Sequence, residues 1–265
     1  MTVPLWRTLR RALALVLLCG VSLQLVFLAR IALMTVVAPQ STTFQRSEAW
    51  RLLRTEGRID WRQAWVDMPQ ISRHLQRAVI ASEDAGFTEH SGVEWDALEK
   101  AWERNQKAQD RVAKINEQRE KQAAKVAAKK PDAPAATPKL VVPKVIGGST
   151  ITQQLAKNLF LSSERNLLRK GQEFVITFML EALLSKQRIL EIYLNNVEWG
   201  EGVFGAEAAS QHYFRSSAAQ LAPGSAARLA VMLPAPKRFE KNPRSAYVSG
   251  RAGTVAARMG GVELP

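Results

Sequence analysis

Residues 147–158, with the sequence GGSTITQQLAKN, decide how the rest of the chain is interpreted. The two glycines allow a tight turn, and Thr150 followed three residues later by Gln153 is the pattern of a capping box at a helix start. The free N–H groups and positive dipole end of such a helix form a natural site for an anion. Gln153 or Gln154 and Lys157 are four or three residues apart, so they share one face. The stretch predicts a capped helix that either binds an anion or merely exposes an amide and a lysine.

The composition limits the class of protein. The chain has 265 residues, of which 46% are hydrophobic, enough for a substantial core. Its single cysteine, Cys19, excludes an internal disulfide and a cysteine-based metal cluster. The formal net charge of +13 indicates an anionic partner, which could be a nucleic acid, a phospholipid surface or a phosphorylated substrate.

The N-terminal segment predicts a membrane anchor. Residues 12–29 carry no charge, and a second apolar run follows Arg30 up to Ala38. A span needs about 20 apolar residues, and the three arginines at positions 7, 10 and 11 place the tail 1–11 in the cytoplasm. A cleaved signal peptide is the alternative, but the run is long for one and lacks a small-x-small cleavage site. We therefore expect an anchor over 12–38 and the remaining chain outside the cytoplasm, which argues against nucleic acid.

Beyond the anchor, we expect a polar juxtamembrane connector over 39–68 and one main domain over 69–265. Within that domain a helix should begin near Pro69 and end at the adjacent carboxylates Glu83 and Asp84. A carboxylate at a helix C-terminus faces the negative end of the dipole, which favours its protonated form and suits proton transfer. A solvated acidic turn is the plainer alternative.

A Lys/Ala/Pro-rich insert covers residues 106–144. Its first part has helical composition with a thin apolar stripe, and four prolines interrupt its second part. Such a basic, low-complexity run predicts a solvated, mobile segment. Contact with anionic lipid headgroups is the sharper interpretation.

A second charged group follows the opening stretch. Arg165, Arg169 and Lys170 precede Glu173, and the last two cations are four and three residues from the acid, so they share a face with it. Ordinary ion pairing within a helix would explain the pairs, but it does not require three cations within six positions.

A glycine-rich run further along does not indicate a nucleotide site. Residues 200–205, GEGVFG, match the dinucleotide-binding pattern, but no strand pattern precedes them. We interpret them as a tight connection into a helix over residues 206–213. Further helices are expected from Pro223 and over residues 244–259, so the soluble part is predicted to be mostly α-helical.

Five segments, in this order, resemble the signatures of the peptidoglycan glycosyltransferases. They are residues 83–92 (EDAGFTEHSG), 148–158 (GSTITQQLAKN), 169–173 (RKGQE), 191–214 (from EIYLN to YF) and 233–239 (from LPAP to F). The chain is most similar to the monofunctional, membrane-anchored, Gram-negative type. Two features depart from the family pattern: Gln172 stands where lysine is frequent, and the 106–144 insert replaces a short segment.

The resemblance implies a lysozyme-like α-helical fold with a cleft. It also implies an enzyme that joins lipid II into β-1,4-linked glycan strands and releases polyprenyl pyrophosphate. The expected location is the bacterial inner membrane, with the catalytic domain in the periplasm. The implied partners are lipid II, the growing glycan strand, membrane lipids, and cell-wall synthases or division proteins, with no nucleic acid.

The resemblance also assigns roles to residues. Glu83 matches the base that deprotonates the attacking hydroxyl, and Glu173 matches a second acid that orients cations or a divalent metal such as magnesium or manganese. The positions that match leaving-group contacts are Lys157, Arg165, Arg169 and Lys170. The other implied substrate-binding positions are Asp84, Ser149, Thr150, Gln153, Gln154 and Asn195.

Three alternatives remain open. A lytic muramidase of the same fold would use Glu83 as an acid, but hydrolysis needs neither a cationic cluster nor an anchor. A fragment of a bifunctional penicillin-binding protein is not expected, because no Ser-x-x-Lys occurs in the sequence. An inactive anchored scaffold is disfavoured because both acids of the family pattern are retained.

Overall fold

The computed structural model describes residues 5–129, 140–143, 147–161, 164 and 166–265. These residues are mainly helical, which confirms the predicted mainly α-helical fold class. The helices are α1 (Leu5–Leu33), α2 (Thr43–Glu56), α3 (Arg73–Glu83), α4 (Trp95–Lys129), α5 (Ile151–Phe160), α6 (Leu167–Leu183), α7 (Lys186–Asn196), α8 (Ala206–Phe214), α9 (Pro223–Met232), α10 (Pro236–Phe239) and α11 (Ala246–Arg258). The strands are β1 (Arg62–Gln63), β2 (Glu198–Gly200) and β3 (Val203–Phe204).

The chain divides into two compact units. One combines Met1–Val93 with Thr150–Pro265, and the other is Glu94–Ser149. In the second unit, Asn116 on α4 exchanges two hydrogen bonds with the backbone of Val141, at 2.9 and 2.8 Å. The predicted 106–144 insert lies in this unit, and its residues 130–139 and 144 are outside the described ranges. Its contact with lipid headgroups stays a prediction.

Helix α1 is long and apolar enough to cross a membrane. One side of this helix packs on the rest of its own unit. Phe27 lies edge-on to Phe160 with ring centroids 5.2 Å apart, and Ile31 is fully buried. The carbonyl of Met34 accepts a hydrogen bond from Arg188 Nε at 2.8 Å. The anchor is thus fastened to the helical domain by its C-terminal half.

The segment predicted as a connector contains regular structure. Thr42 and Gln45 form a capping box at the start of α2, and Thr43 Oγ1 donates to the Leu159 carbonyl of α5 at 3.0 Å. Strand β1 then joins a three-stranded sheet in the order β1-β3-β2, parallel to β3, with β2 antiparallel to β3. The run GEGVFG forms the β2–β3 hairpin, and Gly202 has a φ of +68° where a Cβ would lie 2.0 Å from the Asp60 carbonyl oxygen.

Helix α3 begins later than the sequence predicts. Pro69 lies in a short 3₁₀ turn, and Ser72 caps the helix by accepting a hydrogen bond from the His74 N–H at 3.2 Å. The serine hydroxyl accepts a hydrogen bond from a backbone N–H in the first turn, which a proline ring cannot do. The helix therefore begins directly after Ser72. The predicted start of α9 at Pro223 is confirmed.

A cluster of charged side chains joins α2, β2 and α10. Lys237 donates to Glu48 and lies 3.4 Å from an oxygen of the buried Glu198. Burial raises the pKa of Glu198 from 4.5 to about 7; Lys237 opposes this rise, whereas the charges of Glu48 and Glu240 add to it. The folded protein therefore binds this proton more tightly than the unfolded chain does.

Glu198→Gln is expected to remove a pH-dependent loss of stability. The pKa of Glu198 is higher in the folded protein than in the unfolded chain. Its contribution to the free energy of unfolding is therefore fully present below pH 4.5, where the side chain is protonated in both states, and is lost as the pH rises through about 7. The loss amounts to at most about 3 kcal/mol in the free energy of unfolding. Thermal unfolding in detergent should show the variant more stable than wild type at about pH 8 and without this gain at about pH 5. Glu263→Gln, at an exposed position, is the control. Parallel stability curves for Glu198→Gln and wild type would contradict the assignment.

Candidate active site

Hydrogen bonds join the turn after α3 to the start of α5. The side chain of Asp84 is fully buried; its Oδ2 accepts a hydrogen bond from the Ile151 N–H at 2.9 Å, and its Oδ1 accepts one from His90 Nε2 at 2.8 Å. Thr150 Oγ1 donates to the Gly92 carbonyl at 2.6 Å. Two segments that are distant in sequence are therefore held side by side.

The imidazole of His90 has a defined tautomer. Its Nδ1 accepts from the Gly92 N–H at 3.1 Å, so the proton lies on Nε2, which donates to Asp84. Lys186 donates to the His90 carbonyl at 2.6 Å and pairs with Glu181 at 2.9 Å. The turn that follows Glu83 is thus held by Asp84 through the His90 side chain and by Lys186 through the His90 carbonyl.

The N-terminus of α5 holds an anion that belongs to the protein. Thr150 and Gln153 form the predicted capping box, with Thr150 N donating to Gln153 Oε1 at 3.1 Å and Gln153 N donating to Thr150 Oγ1 at 3.2 Å. The next donor, the Ile151 N–H, is taken by Asp84. The anion expected at this helix start is therefore, in the structure, the buried carboxylate of Asp84. This placement favours a structural role for Asp84, and its substrate contact stays a prediction.

Glu83 is the last residue of α3 and is partly exposed. Gln154 Nε2 donates to its Oε2 at 3.2 Å, and Ser82 Oγ donates to its Oε1 at 3.3 Å. Burial raises the pKa of Glu83, the two hydrogen bonds oppose this rise, and the charge of Asp84 adds to it. The carboxylate accepts a proton more readily than an exposed glutamate does, as a general base requires.

Of the predicted cations, the three that the structure describes lie on two helices that pack together, α5 and α6. Lys157 is exposed on α5, one turn beyond Gln154. On α6, Arg169 and Lys170 clamp the buried Glu173, with N–O distances of 2.8 and 2.5 Å. The buried Nε of Arg169 has no hydrogen-bond partner among the residues that the structure describes. Glu173 therefore holds Arg169 and Lys170 in place as a cationic pair, and the Nε–H of Arg169 remains as a donor without a partner among the described residues.

The family model described as Transglycosylase matches residues 51–130 and 134–260. The chain belongs to the transglycosylase family. This confirms the resemblance identified from the five segments, and the fold of the family is lysozyme-like.

Curated relatives with the name biosynthetic peptidoglycan transglycosylase are similar over most of the chain. The protein from Paraburkholderia phytofirmans is 46% identical over 252 residues, which cover 95% of this chain and 91% of the relative. That from Cupriavidus pinatubonensis is 51% identical over 253 residues, covering 92% and 86%. That from Cupriavidus metallidurans is 50% identical over 253 residues, covering 92% and 93%.

The departure from the transglycosylase pattern at Gln172 has a structural partner. Its amide exchanges two hydrogen bonds with the amide of Gln24 on α1, at 2.8 and 2.9 Å. Gln172 therefore contacts the anchor, whereas its neighbour Glu173 holds the cations. Nothing in the local sequence around position 172 signals this pairing.

The residues around Glu173 do not fit a resident divalent metal. Magnesium and manganese bind oxygen ligands, but Arg169 and Lys170 each occupy one carboxylate oxygen of Glu173. A metal ion at this acid would have to displace one of the two cations and would lie beside the other. The predicted metal stays a prediction, and no step below depends on it.

The remaining predicted site residues are placed as follows. Asn195 is fully buried, and its amide exchanges hydrogen bonds with the backbone of Val66, both at 2.9 Å. Ser149 belongs to the second unit, and Arg165 lies outside the described residues. The substrate contacts of these three stay predictions. Sequence reasoning gave no role to Tyr193, whose hydroxyl donates to Gln154 Oε1 at 2.9 Å.

Proposed function

We propose that this protein is a peptidoglycan glycosyltransferase that polymerises lipid II into β-1,4-linked glycan strands, releases polyprenyl pyrophosphate and has no transpeptidase activity. The observation that carries the proposal is Glu83, a carboxylate of raised pKa beside the Gln154 amide, in a chain of the transglycosylase family. The names of the curated relatives agree with it.

The reaction needs a base because a sugar hydroxyl is a weak nucleophile. As the hydroxyl oxygen bonds to the anomeric carbon of the donor, its proton passes to Glu83. The bond from that carbon to the pyrophosphate breaks, and the leaving group takes the electron pair. Displacement with inversion turns an α-linked donor into a β-linked product, so no covalent enzyme intermediate is required.

The leaving pyrophosphate gains negative charge, which fixed cations stabilise. Arg169 and Lys170 are held by Glu173, and Arg169 retains an unused buried donor among the described residues. Charge-assisted hydrogen bonds from such groups are about twice as strong as neutral ones. We assign this pair, with Lys157 and Arg165, to the pyrophosphate, and Gln154 and Ser149 to the sugar-phosphate portion.

The anchor brings the protein to a lipid-linked substrate. Helix α6, which α1 contacts, exposes Leu167 and Leu168 directly before the cationic pair in sequence and Phe178 about two turns beyond it. Exposed large apolar side chains of this kind are suited to contact with lipid. The arginines at positions 7, 10 and 11, in the first turns of α1, support a single-pass topology in the bacterial inner membrane, with the N-terminus in the cytoplasm and the catalytic domain in the periplasm. Cell-wall synthases or division proteins are the partners that we propose for this location.

Incubation of the purified full-length protein with fluorescent lipid II in detergent or liposomes tests the proposal. We expect a glycan polymer that a muramidase digests. Cleavage of added glycan without polymerisation would indicate a lytic enzyme, and retention of unchanged lipid II would indicate a scaffold. Either result would overturn the proposal.

A further inference from the structure

Tyr193 on α7 is fully buried, yet its hydroxyl reaches the edge of the candidate active site. The hydroxyl donates to Gln154 Oε1 at 2.9 Å, and Gln154 Nε2 donates to Glu83 Oε2 at 3.2 Å. A buried tyrosine hydroxyl normally requires such a partner. The three side chains therefore form a relay that runs from the core to the carboxylate.

The hydroxyl is held in its donor state. Burial raises the pKa of Tyr193 well above 10, and the negative charges of Glu83 and Asp84 raise it further. The phenol therefore keeps its proton at neutral pH. A protonated, buried hydroxyl needs an acceptor, and the acceptor observed is Gln154 Oε1.

The orientation of the Gln154 amide matters because its two ends have opposite effects on Glu83. The NH₂ end donates to a carboxylate and favours the ionised form, which is the form that accepts a proton. The carbonyl end would repel a carboxylate and would favour the protonated acid. By taking up Oε1, the tyrosine hydroxyl leaves only the NH₂ end for Glu83.

We propose that Tyr193 is a positioning residue for Glu83, orienting the Gln154 amide so that the carboxylate stays available as a base. The proposal rests on the proposed function, in which Glu83 takes the proton of the attacking hydroxyl. Tyr193 touches no reacting atom and acts only through Gln154.

Within the described part of the chain, the groups that face Glu83 come from three elements. Ser82 and Asp84 adjoin it at the end of α3, Gln154 reaches it from α5, and Tyr193 stands behind Gln154 on α7. The hydrogen bonds from Gln154 and Ser82 lower its pKa, against burial and the charge of Asp84. Among the described residues, loss of the oriented amide leaves Ser82 as the one hydrogen-bond donor that counters burial and the charge of Asp84, so the carboxylate should hold its proton to higher pH.

The test is the pH profile of lipid II polymerisation by full-length Tyr193→Phe. A lost hydrogen bond to a charged group corresponds to a shift of about one pH unit, so the acidic limb should move up by that amount. Turnover near neutral pH should fall by up to about 10-fold and recover at higher pH. The matched control is Tyr213→Phe, which also removes a phenol hydroxyl, one that donates to the Trp199 carbonyl at 2.9 Å away from Glu83. Its acidic limb should coincide with that of wild type.

Gln154→Ala completes a double-mutant cycle. It should shift the acidic limb in the same direction, and Tyr193→Phe should add no further shift in that background. The proposal would be overturned if Tyr193→Phe left the acidic limb of the pH profile unshifted. It would also be overturned if Tyr193→Phe shifted that limb equally in the wild-type and the Gln154→Ala backgrounds. Should Tyr193→Phe fail to fold, an unshifted limb in Gln154→Ala would overturn it. Wild-type protein that forms no polymer would refute the proposed function itself, whereas active wild type with unshifted variants refutes only the positioning role.

Discussion

Replacing Glu83 with glutamine is expected to abolish polymerisation of lipid II while the fold stays intact. Glutamine keeps the shape of the side chain and a hydrogen-bonding oxygen, but it cannot take the proton of the attacking hydroxyl. Loss of a general base costs about 10²–10⁴-fold in turnover. The measurement is the initial rate of polymer formation from fluorescent lipid II, with binding of lipid II followed in parallel.

The matched control for this variant is Glu89→Gln. Glu89 is exposed in the same turn, so the change removes an identical charge without touching the base. Its turnover should stay close to that of wild type. A Glu83→Gln protein with near wild-type turnover would remove Glu83 from the role of base.

The second large effect is expected from Arg169→Ala. The change removes a charge-assisted contact to the leaving pyrophosphate, worth about 1.5–3 kcal/mol. This corresponds to a loss of about 10- to 150-fold in turnover. Lys170 still pairs with Glu173 in this variant, so the buried acid keeps one cation. Turnover and binding of the donor should both be measured.

An exposed arginine on α11, Arg251, provides the matched control, because Arg251→Ala changes the net charge equally. It should leave turnover unchanged. The decisive comparison uses a donor analogue that lacks the pyrophosphate. If Arg169→Ala weakened binding of that analogue as much as binding of the natural donor, Arg169 would be a structural residue.

Local patterns predicted the parts of the site that depend on neighbours in sequence. The capping box of Thr150 and Gln153 spans four residues, and the clamp of Arg169 and Lys170 on Glu173 lies within one helical turn. Helical periodicity fixes such pairs whatever the rest of the chain does. For the same reason, the apolar run that became α1 could be recognised without tertiary information.

Contacts between distant segments could not be predicted from one sequence. Asp84 binds the N–H of a residue 67 positions away, and Tyr193 and Gln154 are 39 positions apart. The sequence left open whether the start of α5 binds an anion, and in the structure the anion there is the protein's own carboxylate, Asp84. No local signal distinguishes these two cases.

The segment 39–68 shows how polar composition can conceal packing. Its Gln45 side chain is almost fully buried, because one end closes the cap of α2 and the other reaches Asn196 at 3.3 Å. A glutamine in a polar stretch is usually exposed. Only the fold shows that this one joins α2 to the end of α7.

In the proposed reaction Glu83 drives a displacement in which one pyrophosphate leaves for each new glycosidic bond. The most direct measurement counts polyprenyl pyrophosphate released from lipid II against linkages formed, and determines the configuration of those linkages. We expect a one-to-one ratio, β-linkages throughout, and the loss of both products in Glu83→Gln. Shortened glycan without release of pyrophosphate, or equal release by wild type and Glu83→Gln, would contradict it.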